Sequence, residues 1–547
     1  MNPDTELDDA GADRAARDLA EYDRFRYDNF PFRATHPDWL GTVARLLGLE
    51  PVVADSCRVL ELGCGRGGNL VGLAAALPGS TFVGIDHAPS QIADGLADVT
   101  ALGLANCELL AMDIRDLPIG EAPFTPGSFD FVICHGVYSW VPPDVRERIL
   151  TATRQLLAPQ GVAFVSFNAL PGWHARGMIR DALRRLVPEG PADEMASAAR
   201  SLLALWAEHI PETGPLTAFI RHETELLARL SDNYLYFEHL VEHNEAFHLA
   251  EFVADVEAAG LGYLGDADPA SMTSAQLGDD GQAAVDTLGL DPVATEGLLD
   301  VLTVRFFRRA LLCRAESRPE RTHDHRRLEG AWVQAEMEIE HVEVDLVADT
   351  PVEEIDIVLR DADGAVPHPE DPHTAAMLWV LAEQRPRGMA LDELAAEAAR
   401  RLGCVADADF VDGIVEIAHA LVWRGRLDAG FTLRPVALEI GERPMTSALV
   451  RHQAGAERRV VTTLRHEHHA VDRMDVVLLR NLDGTRTVAD LLAPVLAAQE
   501  SGELEVSIDD APVTDQDTLR ELIDLKLDRF VRAALLIDPT RAGTGAL

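Results

Sequence analysis

The sequence predicts an α/β fold in which a parallel sheet is covered by helices on both faces. From Arg58 onward, apolar segments of strand length alternate with helical segments, which is typical of parallel strands joined by crossover helices. The fourth predicted strand is continuously apolar from Phe131 to Cys134, as a strand buried on both faces should be. A glycine-rich turn directly after the first strand is the third observation.

The predicted elements follow one another at short intervals. Strands of the sheet are predicted at 58–62, 81–86, 107–112, 129–135 and 162–168, with helices at 68–77, 89–102 and 143–157. Helical periodicity continues through 186–255, and the last strands of the sheet are predicted at 260–264 and 306–314. The helical block between them can serve as a lid over the sheet or as a homodimer contact, and the sequence leaves both open.

Length and composition predict a chain of several domains. With 547 residues, 47% of them hydrophobic, the chain can bury more than one core. The predicted segments are an N-terminal cap or lid at 1–45, a cofactor-binding core at 46–185, a helical lid domain with the last core strands at 186–320, a winged-helix-like domain at 325–435 and an α-rich domain at 436–547. We expect a cytoplasmic protein without a membrane span, because no run of 18 apolar residues exists and the N-terminus is acidic.

Net charge, cysteines and histidine clusters limit the kinds of partner, disulfide and metal site that the sequence predicts. The net charge of −43 disfavours nucleic acid, whose phosphates require Lys and Arg, and it suits either solubility or a basic partner. The six cysteines form no C-x-x-C pair, so we expect reduced, buried thiols. The clusters His323-Asp-His325 and His466-Glu-His-His469 lack spaced partners, so we expect surface histidines and no metal site.

The glycine turn predicts a nucleotide-like cofactor. Gly63, Gly65 and Gly67 can adopt positive φ and bring the backbone close to a ligand, and the amides at the next helix N-terminus attract an anion. Asp86, at the end of the second strand, can accept hydrogen bonds from two ribose hydroxyls. The spacing from Glu61 onward resembles motif I of class I methyltransferases, which points to S-adenosylmethionine.

Further candidates follow the ends of the predicted strands, which meet at one edge of the sheet. Asp113 can accept a hydrogen bond from the adenine amine or can simply cap a helix. His135, Tyr138 and Trp140 follow the fourth strand, while Asn168 and Trp173 follow the fifth. Aromatic walls favour a sulfonium by cation–π attraction and exclude water, although buried aromatics also serve as plain core.

From Tyr22 to Trp173 the chain resembles bacterial class I methyltransferases that carry a methyltransferase regulatory domain, a group that includes the rickettsial outer-membrane-protein lysine methyltransferases. The strings that carry the resemblance are Phe30-Pro-Phe-Arg-Ala-Thr-His-Pro37, Glu61-Leu-Gly-Cys-Gly-Arg-Gly-Gly-Asn69, His135-Gly-Val-Tyr-Ser-Trp-Val-Pro142 and Asn168-Ala-Leu-Pro-Gly-Trp173. The resemblance continues to about residue 320 and thins beyond about residue 325. Two departures, at Ala169-Leu170 and at Tyr236-Phe237, concern the substrate more than the cofactor.

The resemblance implies a Rossmann-like class I methyltransferase sheet that binds S-adenosylmethionine and releases S-adenosylhomocysteine. The implied cofactor residues are Glu61, Gly63, Cys64, Gly65, Gly67, Asn69, Asp86, His87, Asp113, Ile114 and His135. The candidates on the acceptor side of the methyl group are His135, Tyr138, Trp140, Asn168 and Trp173. Glu238, His239 and Glu242 are further acceptor-side candidates that can equally form a solvated helix face.

The expected reaction is direct displacement at the S-adenosylmethionine methyl by a nitrogen nucleophile, without metal or covalent intermediate. A lysine acceptor must be neutral, and desolvation beside Tyr138, Trp140 and Trp173 lowers its pKa in that direction. His135, Tyr138 or Asn168 can take or orient the departing proton. The favoured substrate is a lysine side chain of a protein or peptide, and the alternative is N- or O-methylation of a small metabolite.

The C-terminal third carries no chemistry of its own in the sequence. Helices at 374–383, 391–402 and 407–423, followed by a hairpin at 427–433, predict a winged-helix-like arrangement. Asp409, Asp412 and Glu416 share one face of the third helix, which is the wrong sign for DNA, so protein docking or dimer contact is favoured. A turn at 482–486 and an amphipathic helix at 519–536 complete the chain.

Overall fold

The protein is described here from a computed structural model. The structure describes residues 22–24, 29–211, 213–319, 321–344, 355–361, 364–366, 369–456, 458–508 and 511–541. Most of the N-terminal cap predicted at 1–45, namely residues 1–21 and 25–28, lies outside the described residues.

The predicted sheet is confirmed. Its strands, among the described residues, are β1 (Arg58–Leu62), β2 (Thr81–Asp86), β3 (Cys107–Ala111), β4 (Phe129–Cys134), β5 (Leu157–Ala169), β6 (Ala246–Phe247), β7 (Leu261–Asp266) and β8 (Phe307–Arg314). They run in the order β3-β2-β1-β4-β5-β8-β7, with β6 beside β5. Strands β1 to β5 are parallel, and β8 lies antiparallel between β5 and β7. The order reverses between β1 and β4, which is where an open sheet of this kind binds its ligand.

Helices cover both faces of this sheet. Those joined to its strands are α1 (Pro37–Leu46), α2 (Gly68–Ala76), α3 (Pro89–Leu102), α4 (Pro143–Leu156), α5 (Gly172–Leu186), α6 (Ala192–His209), α7 (Pro215–Arg229), α8 (Asp232–His239), α9 (Leu249–Ala258), α10 (Gly278–Asp286) and α11 (Pro292–Leu302). Along β1, Val59 packs in the core on one face of the sheet while Leu60 and Leu62 pack on the other. This two-sided burial explains the apolar strand sequences.

The region after the sheet contains the three predicted helices but not the predicted hairpin. Its elements are β9 (Trp332–Gln334), β10 (Glu338–Val344), β11 (Ile355–Asp361), β12 (Gly364–Val366), α12 (Pro372–Glu383), β13 (Met389–Ala390), α13 (Leu391–Leu402), α14 (Ala408–Trp423) and β14 (Asp428–Gly430). The prediction of a hairpin at 427–433 is wrong. Its one strand, β14, pairs instead with β9, which lies almost a hundred residues earlier and also pairs with β13.

The last part of the chain has its own hydrophobic core. Its elements are α15 (Ala448–Gly455), β15 (Val460–Thr462), β16 (His468–Ala470), α16 (Arg473–Asn481), α17 (Leu492–Glu500), β17 (Ser507–Ile508), β18 (Ala511–Pro512) and α18 (Gln516–Arg532). The helix predicted at 519–536 ends earlier, because Ala534 has a positive φ of 53°. Throughout the described residues, no helix is long and apolar enough to cross a membrane.

A buried arginine holds the antiparallel end of the sheet. Arg308 on β8 is completely buried, and its guanidinium contacts Glu296 at 2.9 Å, Asp300 at 2.8 Å and the Tyr263 hydroxyl at 3.1 Å. These contacts join β8 to β7 and α11. A buried charge of this kind is stable only while its partners remain.

We expect Arg308→Ala to lower the free energy of unfolding by about 3–5 kcal/mol, because it leaves buried carboxylates without their cation. Arg318→Ala is the control, since Arg318 pairs with Glu257 at 3.1 Å on an exposed surface and should contribute about 1 kcal/mol or less. Denaturant unfolding of both variants measures the difference. Equal losses would contradict a structural role for the buried network.

Candidate active site

The glycine turn after β1 has the backbone that the sequence predicts. Gly63, Gly65 and Gly67 have φ values of 77°, 54° and 73°, all in the left-handed region. At Gly63 a Cβ would also lie 2.4 Å from the Val137 side chain, so this position has no room for one. Cys64 contributes backbone only, because its thiol is buried in the core beneath the turn. The turn thus presents bare backbone at the carboxyl edge of the sheet.

Asp86 closes this turn from the end of β2. Its Oδ2 accepts a hydrogen bond from the Gly65 amide at 2.8 Å, and its Oδ1 accepts one from Ala88 at 2.9 Å. The Tyr22 hydroxyl lies 3.5 Å from the same Oδ2, and the Tyr22 ring stacks on half-exposed His87 at 4.8 Å between centroids. The described part of the N-terminal aromatic stretch therefore borders the crevice.

Glu61 is a buried carboxylate with an incomplete set of partners. Its Oε1 accepts a hydrogen bond from the Asn69 side-chain amide at 3.2 Å. Its Oε2 is buried and has no hydrogen-bond partner among the described residues. The pKa of Glu61 is raised to about 8, mainly by burial; the Asn69 donor opposes this rise and the nearby Asp86 charge adds to it. An orphaned buried carboxylate oxygen beside a nucleotide-type turn fits a cationic ligand group.

Asp113 and Ile114 follow β3 as predicted, and Asp113 performs the helix-capping role that was one of its two alternatives. Its carboxylate accepts from the Arg115 amide at 2.8 Å and from the Arg115 guanidinium at 2.7 Å. Those contacts hold the pKa of Asp113 below its usual value. Ile114 is partly buried against the core. Contact of either residue with adenine stays a prediction.

His135 lies at the end of β4 in an aromatic setting. The Ser166 hydroxyl is 2.9 Å from His135 Nδ1 and accepts from the Gly136 amide at 2.9 Å, which fixes the ring. The Phe32 ring lies against it at 3.9 Å between centroids. Burial, together with the positive charge of Arg309, lowers the pKa of His135 to about 4. The imidazole is consequently neutral at pH 7.

The structure corrects the position expected for Tyr138. Residues 138–140 form a short 3₁₀ helix that directs the Tyr138 ring into the hydrophobic core, where it is 1% exposed. It packs edge-on against Phe247 and Phe252, at 5.5 and 5.3 Å between centroids. Tyr138 therefore supports the strand ends from below instead of lining the crevice.

The other acceptor-side candidates connect the sheet to the helical block. Asn168 donates from Nδ2 to Asn244 Oδ1 at 2.8 Å, and Asn244 in turn donates to the Glu238 carbonyl at 2.9 Å. The Trp140 indole donates to the Phe237 carbonyl at 3.2 Å, and the Phe237 ring meets Tyr22 at 5.6 Å. The end of α8 thus borders the same crevice as the strand tips.

Buried charge accumulates where α8 meets α5. Burial raises the pKa of Glu238 to about 7, against the opposing charges of Arg176 and Arg180. The Arg176 guanidinium lies 5.8 Å from the Trp173 ring, and Trp173 is almost fully buried. His239 faces the core, and burial lowers its pKa to about 3, while Glu242 is exposed. Of Glu238, His239 and Glu242, only Glu238 has a pKa raised to about 7, close to the pH at which a proton could be exchanged.

Sequence reasoning missed Ser166, Asn244 and His466 as parts of this region. Ser166 and Asn244 are common polar residues without a motif. The prediction of surface histidines is wrong for His466, which is 2% exposed and contacts Asn69 across 397 positions of sequence. No local signal could have revealed a contact at that separation. Among the described residues, no group of three or more His, Cys, Asp or Glu side chains could hold a metal ion.

The sheet order, the glycine turn and the acids at its rim define an S-adenosylmethionine-dependent methyltransferase of class I. Three protein families match the chain: the methyltransferase domain at residues 59–161, the predicted methyltransferase regulatory domain at 231–314, and the PKMT C-terminal winged helix domain at 442–535. The matched winged helix domain therefore lies within 436–547, the segment predicted to be an α-rich domain. It follows the separate region at 325–435 for which the sequence predicts a winged-helix-like arrangement.

Two of the three relatives described next are similar to this chain over 93% of its length. Uncharacterized protein RP789 of Rickettsia prowazekii is 29% identical over 530 residues, covering 93% of this chain and 92% of that protein. Uncharacterized protein RP028 of the same organism is 33% identical over 226 residues, which is 41% of this chain and 88% of that protein. PKMT2 from Rickettsia typhi is similar in structure, with a TM-score of 0.81, 29% identity and coverage of 93% of this chain and 100% of PKMT2.

The structure of that PKMT2 in complex with AdoHcy gives a TM-score of 0.82 at 28% identity, with the same coverage. The chain belongs to the bacterial class I S-adenosylmethionine-dependent methyltransferases that carry a methyltransferase regulatory domain and a PKMT winged helix domain. The predicted cofactor class and enzyme class are confirmed.

We expect Asp86→Ala to weaken binding of S-adenosylhomocysteine about tenfold or more, because the turn loses the charged acceptor of two backbone amides and the ligand loses a carboxylate at the rim. Calorimetric titration measures the change. Asp116→Ala is the control, since Asp116 is an exposed acid at the same edge of the sheet and should leave the affinity unchanged. Equal affinities of all three proteins would remove Asp86 from the site.

Proposed function

We propose that the protein transfers the methyl group of S-adenosylmethionine to lysine side chains of a protein substrate in the cytoplasm. The observation that carries this proposal is the similarity to PKMT2, a protein lysine methyltransferase by its name, over 93% of this chain and all of that one. The matching PKMT winged helix domain extends the similarity beyond the part common to methyltransferases in general.

The proposed cofactor seat is built from the carboxyl edge of β1, β2 and β3. The turn at Gly63, Gly65 and Gly67 offers backbone, and Asp86 offers oxygens for the ribose hydroxyls. The orphan Oε2 of Glu61 suits the ammonium of the methionine part, because pairing with a cation restores the charge of a buried carboxylate. In this proposal Cys64 contributes its backbone, and Asn69 acts by donating a hydrogen bond to Glu61. His87, Asp113 and Ile114 border the adenine end of the cofactor.

When bound, S-adenosylmethionine supplies an activated methyl group together with its leaving group, so the protein has to align and desolvate the reactants. Trp140 and Trp173 exclude water on the acceptor side. Asn168, held through Asn244, orients the acceptor nitrogen, and neutral His135 provides a polar group at the tip of β4. Tyr138 has only a supporting role, because its ring lies in the core.

Glu238 is the proposed acceptor of the lysine proton. A lysine ammonium must lose a proton before it can attack, and a base with a pKa near the working pH is the most effective. Burial raises the pKa of Glu238 to about 7, which meets that requirement. The carboxylate form also attracts the ammonium before the proton moves. The net charge of −43 favours lysine-rich, basic segments as substrates.

Methyl transfer from radiolabelled S-adenosylmethionine into a lysate, separated by size and followed by mass spectrometry of labelled peptides, tests the proposal. We expect label on lysine in macromolecules, and less label with the Asp86→Ala variant at a limiting concentration of S-adenosylmethionine. The enzyme itself contributes little background, because Lys526 is its single lysine and pairs with Asp475 at 2.9 Å. Label found only in small molecules would replace the proposal with a metabolite methyltransferase.

Glu238→Gln is expected to lower kcat about a hundredfold with little change in cofactor affinity, as loss of a general base does. The sign of the pH dependence follows from the carboxylate being the active form. In the unmodified protein kcat should fall as the pH drops below about 7, and in the variant this acidic limb should weaken. Exposed Glu242→Gln is the control. A normal kcat for Glu238→Gln would exclude Glu238 as the base.

A further inference from the structure

The C-terminal winged helix domain contacts the cofactor side of the sheet through one buried histidine. His466 lies in the turn between β15 and β16, and its Nε2 is 2.7 Å from Oδ1 of Asn69, in the first turn of α2. Asn69 is itself 4% exposed and donates to Glu61. A hydrogen-bonded chain therefore runs from the last domain to the carboxylate beside the glycine turn.

The direction of these hydrogen bonds follows from a backbone group. The Phe32 amide lies 3.1 Å from the same Asn69 atom, and a backbone N–H can only donate, so that atom is the oxygen of the side-chain amide. His466 Nε2 faces this oxygen and must carry a hydrogen. The NH₂ group of Asn69 then points to Glu61 Oε1, as a donor.

His466 holds this position under constraint. Its φ is 60°, a left-handed value that is uncommon for a residue other than glycine and persists only where the surroundings hold it. A Cβ at Gly72, one turn along α2, would lie 3.0 Å from His466 Cε1, so glycine leaves only enough room for the ring. Strained residues of this kind are concentrated at functional sites.

A second polar contact holds the same domain against the same turn. Asp98 on α3 accepts from Arg66 of the glycine turn at 3.0 Å and contacts His452 of α15 at 2.9 Å. Arg458, just before β15, also pairs with Asp98. These contacts lie on the side of α2 and α3 that faces the winged helix domain. The domain is thus docked on the glycine turn by charge as well as by the histidine.

We propose that His466 is a positioning residue for the cofactor: it fixes the Asn69 amide, which in turn donates to Glu61, so that the winged helix domain completes the cofactor seat. The inference rests on the proposed assignment of Glu61 to the cofactor. Without the His466 donor, the Asn69 amide loses a contact that defines its orientation. The Phe32 amide and the Thr35 hydroxyl still donate to the Asn69 oxygen, so the side chain is held less firmly and its hydrogen bond to Glu61 weakens. Glu61 then takes up a proton more readily.

The predicted consequence is a pH-dependent loss of cofactor affinity. The carboxylate form of Glu61 binds a cationic group, so affinity should rise with pH through the Glu61 titration, and removal of the Asn69 donor should move that rise to higher pH. The other titratable groups facing Glu61 are Asp86, Cys64, Cys107 and Cys134, and they are the same in every variant compared.

The test is calorimetric titration of the full-length protein with S-adenosylhomocysteine between about pH 6.5 and 8.5. We expect His466→Ala to weaken binding about tenfold near pH 7, the effect of losing one hydrogen bond to a charged network, and to shift the pH profile upward. His466→Gln keeps an N–H donor and should restore most of the affinity. Exposed His468→Ala, on the same hairpin, should bind like the unmodified protein.

Gly72→Ala gives a second approach in case His466→Ala does not fold, because the added methyl group presses on the His466 ring from α2. It should weaken binding in the same pH-dependent way. Glu61→Gln separates the two proposals. If Glu61→Gln weakens binding while His466→Ala and Gly72→Ala do not, the role of His466 is refuted and the seat stands. If Glu61→Gln binds normally, both the seat and the role of His466 are refuted.

Discussion

The burial of Glu61 is the constraint on which the rest of the site depends. A carboxylate that is 5% exposed remains charged only if donors or a cation offset its desolvation. Among the described residues the Asn69 amide supplies the one donor, and its own oxygen is held by Phe32 and Thr35 from the N-terminal segment and by His466 from the C-terminal domain. Three distant parts of the chain therefore meet to support a single acidic group.

A second buried acid also joins distant segments of the chain, away from the glycine turn. Asp38, at the start of α1, accepts from the backbone amides of Phe431 and Thr432 at 2.8 and 3.1 Å, and from the Trp332 indole at 3.3 Å. Burial raises the pKa of Asp38, and these donors oppose the rise. The helix that precedes the sheet is thereby fixed to β9 and to the segment after β14.

Local patterns in the sequence predicted what local physics determines. Helix 391–402 was predicted to the residue, and the glycine turn has its expected φ values, because periodicity and glycine act over a few positions. Contacts between distant segments were not predictable. Tertiary packing decides both the pairing of β14 with β9 and the inward orientation of the Tyr138 ring. The partner of Asn69, His466, belongs to a histidine cluster whose sequence predicts surface residues.

Buried Glu61 and partly exposed Glu238 are suited to different tasks by their neighbours. Glu61, with a pKa raised to about 8, lies beside a second carboxylate and below a bare backbone turn, so it becomes charged when a cation arrives. Glu238, raised to about 7, lies near Arg176 and Arg180, which oppose its burial and leave it able to exchange a proton near neutral pH. Glu61 is supported by a fixed donor, Asn69, which opposes the rise in its pKa and so helps the carboxylate to form when a cation is present. Glu238, whose charge must change in the proposed reaction, lies in the helical block that meets the strand tips through Asn244 and the Phe237 carbonyl, on the proposed acceptor side.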